Sequence, residues 1–311
     1  MVTALYTHPD CLNHVTPGGH PERVDRLRAV LAALDASGFA ALDRRAAPLA
    51  DMAEVLRCHP QTHIDAIASA LPTEAYAALD ADTFLSPGSL TAALRAVGAV
   101  TAAVDAVMAG AVANAFCAIR PPGHHAEATR PMGFCLFGNI AIAAKRALDH
   151  HGLARVAIMD FDVHHGNGTQ DLLWDEARVR YASTHQMPLY PGSGATDEVG
   201  AHHNILNHPL SPGAGGTEFR RVMEREILPA LDAFAPELVL VSAGFDAHRA
   251  DPLANLNLEG ADFAWATQRL CEIADAHAGG RLVSTLEGGY DLTALAECAA
   301  AHVAVMMERG G

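Results

Sequence analysis

The sequence predicts an α/β protein, a single-domain three-layer α/β/α fold around a mainly parallel sheet. Short apolar runs rich in strand-forming residues alternate with longer helical patterns, which is typical of βαβ units. No repeat, charge block or low-complexity linker divides the 311 residues, so we expect one domain over residues 1–311. The polar side chains that could take part in catalysis or metal binding follow the ends of predicted strands. This arrangement predicts an active site at the C-terminal edge of the sheet.

Strands and helices are predicted to alternate along the whole chain. The predicted strands are Thr3–Thr7, Ala115–Ile119, Val156–Asp160, Val179–Ser183, Leu238–Ser242 and Leu282–Leu286. The predicted helices are Glu22–Leu34, Leu90–Met108, Gly138–His150, Glu218–Phe234, Asp262–Ala278 and Leu292–Met307. The stretch from about Gln186 to Gly216 is rich in Gly, Pro, Ser and His, and predicts a long irregular loop at the rim of the site.

Composition narrows the classes of function. The chain carries 36 acidic and 21 basic side chains, a formal net charge of −15, and 50% apolar residues. Because nucleic-acid phosphates are met by clustered Lys and Arg, this charge argues against direct nucleic-acid binding. Histidine is abundant, at 18 residues, and it is both the acid/base of neutral pH and the commonest metal ligand.

The expected compartment is the cytoplasm of a bacterium. Six scattered cysteines without a C-x-x-C pair predict reduced thiols, and the N-terminal residues do not have the pattern of a signal peptide. The apolar stretch Ala96–Ile119 is interrupted by Asp105 and Asn114, which predicts a buried helix and strand rather than a membrane span. An alanine- and arginine-rich chain with one lysine, Lys145, is typical of a GC-rich genome. The oligomeric state stays open, a homo-oligomer included.

Two strand ends supply a candidate metal site. The segment DFDVHH follows Met159 and, at strand period 2, places Asp160, Asp162 and His164 on one side of the chain. A catalytic zinc usually keeps three protein ligands and one open position. Asp246, at the end of another strand, is the natural third ligand beside Asp162 and His164. Taken alone, each segment has a second interpretation, as a strand end that caps a helix or forms a turn.

A histidine pair follows a third predicted strand, in the segment RPPGHH. On a turn, His124 and His125 can both face one point, where they would serve as general base and general acid. Asp160 and Asn167 are the candidate partners, one anionic and one neutral, and that difference would separate the two histidine pKa values. The alternative is a metal-binding or surface histidine pair.

Aromatic side chains follow the remaining motifs. Tyr290, after two glycines, can lie over a site and donate its hydroxyl to a developing oxyanion, or it can simply pack. Gly133 with Phe134, and Tyr190, could likewise form the walls of a narrow channel or pack in the core. We interpret the other histidines as surface or core residues, including His59, His63, His150, His151, His202, His203, His208 and His277.

Together these segments resemble the histone deacetylase family of zinc hydrolases, which has the arginase/deacetylase fold. The motifs RPPGHH, DFDVHHGNGTQ, YPGSG, SAGFDAH and EGGYDL occur in the order of that family, between about His20 and Leu292. The combination of DVHHGNGTQ with EGGYDL is similar to the class II branch and its bacterial relatives, which include histone deacetylase-like amidohydrolases. The resemblance therefore covers nearly the whole chain.

The resemblance implies a role for each candidate residue. The implied ligands of Zn²⁺, or of Fe²⁺ in its place, are Asp162, His164 and Asp246. The implied catalytic residues are His124, His125, Tyr290, Asp160 and Asn167. The implied substrate-binding residues are Gly133, Phe134, Tyr190, Leu253 and Asp82. The implied ligands of a structural K⁺ are the backbone carbonyls of Asp160, Asp162 and His164 with the hydroxyl of Ser183. Asn167 stands where many relatives have Asp, which agrees with class II and leaves the identity of the general base open.

These roles predict a zinc-dependent deacylase that hydrolyses N-acyl amides, most simply the ε-N-acetyl-lysine side chains of a peptide or protein. Tyr290 would polarise the carbonyl while one histidine deprotonates the attacking water and the other protonates the leaving amine. The nearest alternative is an acetylpolyamine amidohydrolase, which acts on small N-acyl amines, but Leu253 stands where those enzymes tend to carry an acidic gatekeeper. An arginase-like two-metal enzyme and a non-catalytic acetyl-ligand-binding protein are more distant alternatives.

Overall fold

The computed structural model describes residues 2–310, which form ten strands and ten α-helices. The strands are β1 (Thr3–Thr7), β2 (Asp43–Ala46), β3 (Ala77–Ala78), β4 (Phe84–Leu85), β5 (Asn114–Cys117), β6 (Val156–Asp160), β7 (Val179–Gln186), β8 (Ile205–Leu210), β9 (Leu238–Ala243) and β10 (Leu282–Leu286). The helices are α1 (Val24–Leu34), α2 (Met52–Val55), α3 (Gln61–Ser69), α4 (Ser89–Met108), α5 (Asn139–Asp149), α6 (Asn167–Leu172), α7 (Gly216–Val222), α8 (Leu228–Phe234), α9 (Gly260–His277) and α10 (Leu292–Gly310).

Eight of these strands form one sheet in the order β2-β1-β5-β10-β9-β6-β7-β8, and β3 pairs with β4 separately. Every pair in the large sheet is parallel. The strands whose ends carry the candidate chemistry, β5, β10, β9 and β6, are consecutive neighbours at its centre. Because parallel strands share one direction, their carboxyl ends lie along the same edge of the sheet.

Helices cover both faces of the sheet, which confirms the predicted three-layer α/β/α architecture. Helices α4 and α5 pack on one face, and α1, α9 and α10 pack on the other. The central strands are therefore buried along their whole length, which explains their nearly continuous apolar sequences. Helix α4 is long and apolar enough to cross a membrane, but 72% of its most apolar window is buried inside the fold, as in a core helix.

The predicted elements differ from the structure mainly at the edges of the sheet. The irregular loop predicted from Gln186 to Gly216 is wrong in part, because it contains the edge strand β8. That strand includes Pro209, which has no backbone N–H and is tolerated at a sheet edge. The other edge strand, β2, has the charged sequence DRRA, which carries no apolar pattern.

The helix predicted over Glu218–Phe234 is not one continuous α-helix, because a π-helical turn at Met223–Ile227 lies between α7 and α8. Pro229 lies in the first turn of α8 and has no backbone N–H, so it cannot donate an α-helical hydrogen bond to the preceding turn. A π turn is one way for a helix to absorb such an interruption. The strand predicted over Ala115–Ile119 begins one residue earlier and ends at Cys117.

Candidate active site

The carboxyl ends of the four central strands bring their polar segments together. The segment after β5 carries the histidine pair, the segment after β6 carries Asp162 and His164, β9 is followed by Asp246, and β10 is followed by Tyr290. A cavity of about 230 Å³ opens at this edge. The structure therefore gathers these residues at the carboxyl edge of the sheet, where the sequence predicts the site.

A group of three buried side chains can hold a metal ion. One ligand atom each from Asp162, His164 and Asp246 lies within 4.8 Å of the other two. His164 Nδ1 lies 3.2 Å from Asp162 Oδ1 and 3.2 Å from Asp246 Oδ2. Two carboxylates and one imidazole form a suitable donor set for one divalent cation with an open position.

Backbone groups hold the two carboxylates in place. Asp246 Oδ1 accepts a hydrogen bond from the backbone N–H of Val163 at 2.8 Å, and Asp162 Oδ2 accepts one from Gly288 at 2.8 Å. A Cβ atom on Gly244 would lie 2.0 Å from Asp162 Oδ2, so the backbone forms a tight cradle around these oxygens. This close fit around the donor atoms supports the metal interpretation.

The charged side chains of this group shift one another's pKa values. Burial, together with the charge of Asp162, raises the pKa of Asp246 to about 7. Burial alone would lower the pKa of His164, but Asp162 and Asp246 raise it to about 10. A proton on His164 and a metal ion therefore compete for the same carboxylates, and metal binding requires that the proton leave.

The strand-period argument for this segment is wrong in one respect. Strand β6 ends at Asp160, and Asp162 and His164 lie in the bend that follows it. The backbone N–H of His164 donates to Asp162 Oδ1 at 2.9 Å, so it is the bend that brings these two side chains together. Asp160 faces His124 instead of the metal group, as the resemblance implied.

The histidine pair has the predicted partners. The rings of His124 and His125 lie 4.0 Å apart between centroids. His124 Nδ1 lies 3.1 Å from Asp160 Oδ2, and His125 Nδ1 lies 2.8 Å from Asn167 Oδ1. The hydroxyl of Tyr181 donates to Asp160 Oδ2 at 3.1 Å and helps to hold this carboxylate.

The different partners separate the pKa values of the two histidines. Burial would lower the pKa of His124, but the charges of Asp162 and Asp160 raise it well above its ordinary value. Burial and the neighbouring His124 lower the pKa of His125 well below its ordinary value. The unlike partners therefore make His124 the more basic and His125 the less basic member of the pair.

No pattern in the sequence predicts the role of Glu287. Its Oε2 accepts hydrogen bonds from the backbone N–H groups of Gly123 at 2.7 Å and His124 at 3.2 Å. Its Oε1 accepts one from the hydroxyl of Ser242 at 3.2 Å. Glu287 thus fixes the turn that carries the histidine pair to the ends of two other strands. Glu287 begins the EGGYD motif, in which only Tyr290 has a side chain whose chemistry indicates a role by itself.

Tyr290 lies at the wall of the cavity. Its ring packs edge-on against Phe134, with centroids 5.9 Å apart, and the guanidinium of Arg26 lies 4.8 Å from its ring centroid. Burial raises the pKa of Tyr290 well above its ordinary value, so the hydroxyl keeps the proton that a donor needs. Asp251, whose role no sequence pattern predicts, accepts hydrogen bonds from the backbone N–H groups of Tyr290 at 2.7 Å and Leu253 at 3.0 Å.

All five predicted substrate-binding residues line the cavity. Its lining consists of Asp82, His125, Gly133, Phe134, His164, Leu189, Tyr190, Leu253 and Tyr290. The ring of Tyr190 meets that of His125 edge-on at 5.3 Å, and a Cβ on Gly133 would lie 2.4 Å from His125 Cδ2, so Gly133 lies close to the histidine pair. Leu189 was not predicted. Burial, with the charge of Asp80, raises the pKa of Asp82.

The residues of the expected K⁺ site lie close together at the end of β6. Ser183 is the register partner of Asp160 in the neighbouring strand β7. The Ser183 hydroxyl is 2.9 Å from Nδ1 of His185. The potassium site stays a prediction.

Two of the histidines interpreted as surface residues form a second cluster. His150 and His151 lie with Asp105 in a geometry that could hold a metal ion. Both oxygens of Asp105 already accept hydrogen bonds from Arg146, at 3.0 and 2.9 Å, and His151 donates to one of them at 2.7 Å. A guanidinium this close repels a cation, so we retain the interpretation of His150 and His151 as residues without a metal-binding role; with Asp105 and Arg146, His151 belongs to an ion-pair cluster.

Comparisons with known proteins agree with this geometry. The family described as the histone deacetylase domain matches residues 20–306. The histone deacetylase-like amidohydrolase of Pseudomonas aeruginosa is 41% identical over 277 residues, which are 88% of this chain and 73% of that protein. A probable deacetylase of Archaeoglobus fulgidus is 37% identical over 298 residues, covering 94% of this chain and 82% of that protein. The crystal structure of the HDA15 HD domain has a TM-score of 0.93 at 35% identity, and the match covers 99% of this chain and 88% of that one.

The parallel sheet, with a buried group at its carboxyl edge that can hold a metal ion, is that of an α/β protein of the deacetylase and arginase type. Within that type, the chain belongs to the histone deacetylase family, whose members generally use a zinc ion. It is therefore a hydrolytic deacetylase, or amidohydrolase.

Proposed function

We propose that this deacetylase hydrolyses N-acyl amides, in the first place ε-N-acetyl-lysine side chains of peptides or proteins, with His124 and His125 as its acid–base pair and Tyr290 as carbonyl polariser. The observation that carries the proposal is the pairing of the two histidines with unlike partners. His124 faces the carboxylate of Asp160 at 3.1 Å and His125 faces the amide of Asn167 at 2.8 Å, beside the metal-binding group.

A divalent cation held by Asp162, His164 and Asp246, Zn²⁺ or alternatively Fe²⁺, would supply the Lewis acid that activates water and polarises the acyl carbonyl. The cavity is lined mostly by apolar or aromatic side chains, among them Phe134 and Tyr190, which suits an extended acyl-lysine side chain.

The residues of the chain divide the movement of protons. His125 lines the cavity and its Nδ1 is occupied by Asn167, so its Nε2 is free to take a proton from water. Asp160 stabilises the imidazolium of His124, which balances negative charge that develops on the reacting carbonyl. The pair then returns a proton to the leaving amine, while the Tyr290 hydroxyl donates to the carbonyl oxygen.

Substitution of the polarising and ligating residues tests this proposal. We expect Tyr290→Phe and Asp162→Asn each to lower kcat on an acetyl-lysine peptide by at least about 10²-fold, since each removes a contact that acts on the transition state. Tyr76→Phe is the matched control, because Tyr76 is exposed and lies outside the cavity. Full activity of Tyr290→Phe, or of protein treated with a chelator, would contradict the mechanism.

The substrate class is tested by a rate panel on the zinc-loaded enzyme. The panel compares acetyl-, longer-acyl- and trifluoroacetyl-lysine peptides with acetylated polyamines. The apolar Leu253 in the cavity lining supports a peptide or protein substrate, because a polyamine cation would be held better by a carboxylate at that place. A clear preference for acetylated polyamines would replace the lysine substrate, and binding of acyl amides without turnover would indicate a ligand-binding homologue.

We also propose that the protein is cytoplasmic and does not bind nucleic acids directly. The six cysteines are all free, which supports a reducing compartment such as the cytoplasm. The net charge of −15 supports the absence of direct nucleic-acid binding. We further propose that residues 1–311 act as one catalytic domain, and that the end of β6 with Ser183 holds a structural K⁺.

A further inference from the structure

The amide of Asn167 has a carboxylate on the side away from the catalytic cavity. Its Nδ2 donates to Glu127 Oε1 at 2.8 Å and lies 3.4 Å from Met132 Sδ, while its Oδ1 faces His125 Nδ1 at 2.8 Å. Glu127 is half-buried and lines a separate surface pocket of about 190 Å³. Backbone hydrogen bonds between Glu127 and Arg130 close the turn that carries it.

These contacts determine, from Glu127 to Asn167 to His125, which group donates each hydrogen bond and which accepts it. A glutamate carboxylate only accepts hydrogen bonds, so Asn167 must turn its NH₂ group toward Glu127. The carbonyl oxygen of Asn167 then faces His125, and His125 Nδ1 must be the donor. The proton on Nδ1 leaves Nε2 of the neutral ring with a free lone pair, as a general base requires.

The shape of the Asn167 side chain does not fix this orientation, because the amide has nearly the same shape after a 180° flip. A flipped Asn167 would place its oxygen against the Glu127 carboxylate and its NH₂ group against His125, which favours the wrong histidine tautomer. An aspartate at this position would not need such help, since both of its oxygens accept.

We propose that Glu127 is a positioning residue, which fixes the amide of Asn167 and through it the tautomer of His125. This inference rests on the proposed acid–base role of His125. Glu127 itself does not line the catalytic cavity, so it acts on kcat and leaves substrate binding unchanged.

The test is a double-mutant cycle on the zinc-loaded enzyme with an acetyl-lysine peptide. We expect Glu127→Ala to lower kcat by about 10-fold with KM unchanged, a typical effect of losing a residue that orients a catalytic group. Glu127→Gln should retain most of the activity, because its side-chain carbonyl can still accept from Asn167. Asp171→Asn is the matched control, since it removes another negative charge from the same pocket while its remaining side-chain oxygen can still accept from the backbone N–H of Ala128, beside Glu127.

The cycle separates positioning from a structural role. In the Asn167→Asp background Glu127 faces a like charge, so adding Glu127→Ala should leave kcat unchanged or raise it. An equal loss in both backgrounds, or wild-type kcat in Glu127→Ala, would overturn the proposal.

A readout independent of turnover keeps this inference distinct from the proposed function. In ¹⁵N-histidine-labelled protein, the His125 signals, assigned with His125→Gln, should show a protonated Nδ1 in the wild type and a mixture of tautomers in Glu127→Ala. Identical signals in the two proteins would refute the positioning role. If the wild type turned over no acyl amide while the signals changed as expected, the proposed reaction would fail and the role of Glu127 would stand.

Discussion

At the scale of single residues, the metal-binding group depends on backbone that approaches its side chains closely. The backbone N–H of Gly288 donates to Asp162 Oδ2 at 2.8 Å. A Cβ atom on Gly288 would lie 2.0 Å from Asp246 Oδ2 and 2.5 Å from Asp162 Oδ2. Contacts that short would displace both carboxylates. Position 288 therefore requires glycine, because there is no room for a Cβ atom.

We therefore expect Gly288→Ala to fold but to bind Zn²⁺ at least about 10-fold more weakly, with a parallel loss of activity. Metal content after dialysis against a zinc buffer measures the effect. Gly260→Ala is the control, because its Cβ would meet nothing nearer than Cys298 Sγ at 3.8 Å. Wild-type metal content in Gly288→Ala would show that the carboxylates can move without losing the ion.

The sequence predicts which residue types the site contains better than how they are held. Asp162, His164 and Asp246 could be predicted because each follows an apolar strand, and strand ends of a parallel sheet converge. Glu287 and Glu127 could not, since a single acid within or beside a motif has the same sequence pattern whether it orients a backbone turn or faces solvent. Their hydrogen bonds appear only when distant segments are placed together.

At the scale of elements, central strands were predictable and edge strands were not. β6 and β10 have the predicted bounds because burial on both faces requires a continuous apolar run. β2 and β8 carry charged residues, His and Pro, which an edge position tolerates and a sequence pattern does not distinguish from a loop.

A buried ion cluster joins elements that are far apart in the chain. Glu22, just before α1, pairs with Arg120 at 2.5 and 2.6 Å and with Arg26 at 3.0 Å. Arg26 also donates to the backbone carbonyls of Gly289 and Glu287, which follow β10. Burial would raise the pKa of Glu22, but Arg120 leads the interactions that hold it well below its ordinary value. The cluster thus ties α1 to the loops that carry the site.

Arg120→Leu should destabilise the protein by about 3–5 kcal/mol, because it leaves the buried Glu22 carboxylate without its bidentate partner. The free energy of unfolding, measured by urea titration, checks this expectation. Arg221→Leu is the control, since its ion pair with Glu218 is exposed and should contribute far less. Equal shifts in the two variants would show that the buried cluster adds no stability of its own.

At the scale of the whole molecule, the abundance of histidine affects stability in acid. Composition alone shows 18 histidines, but burial decides which of them stay neutral. Burial lowers the pKa of His59 and His185 to about 4 and that of His302 to about 3. In the unfolded chain each of these imidazoles takes up a proton near pH 6.5.

Between these pH values the unfolded chain binds more protons than the folded one, so the free energy of unfolding falls as the pH falls, by about 1.4 kcal/mol per pH unit for each such histidine.

His302 offers a clean test, since it bridges Thr267 Oγ1 at 2.6 Å and Ser284 Oγ at 2.8 Å between α10, α9 and β10. His302→Gln can retain a hydrogen bond without titrating, and should reduce the pH slope between pH 6 and pH 4 by about that amount. Met306→Leu, a neutral change on the same helix, should shift stability equally at every pH. Urea titrations at pH 7, 6, 5 and 4 measure both, and an unchanged slope in His302→Gln would mean that the folded protein accommodates a charged His302.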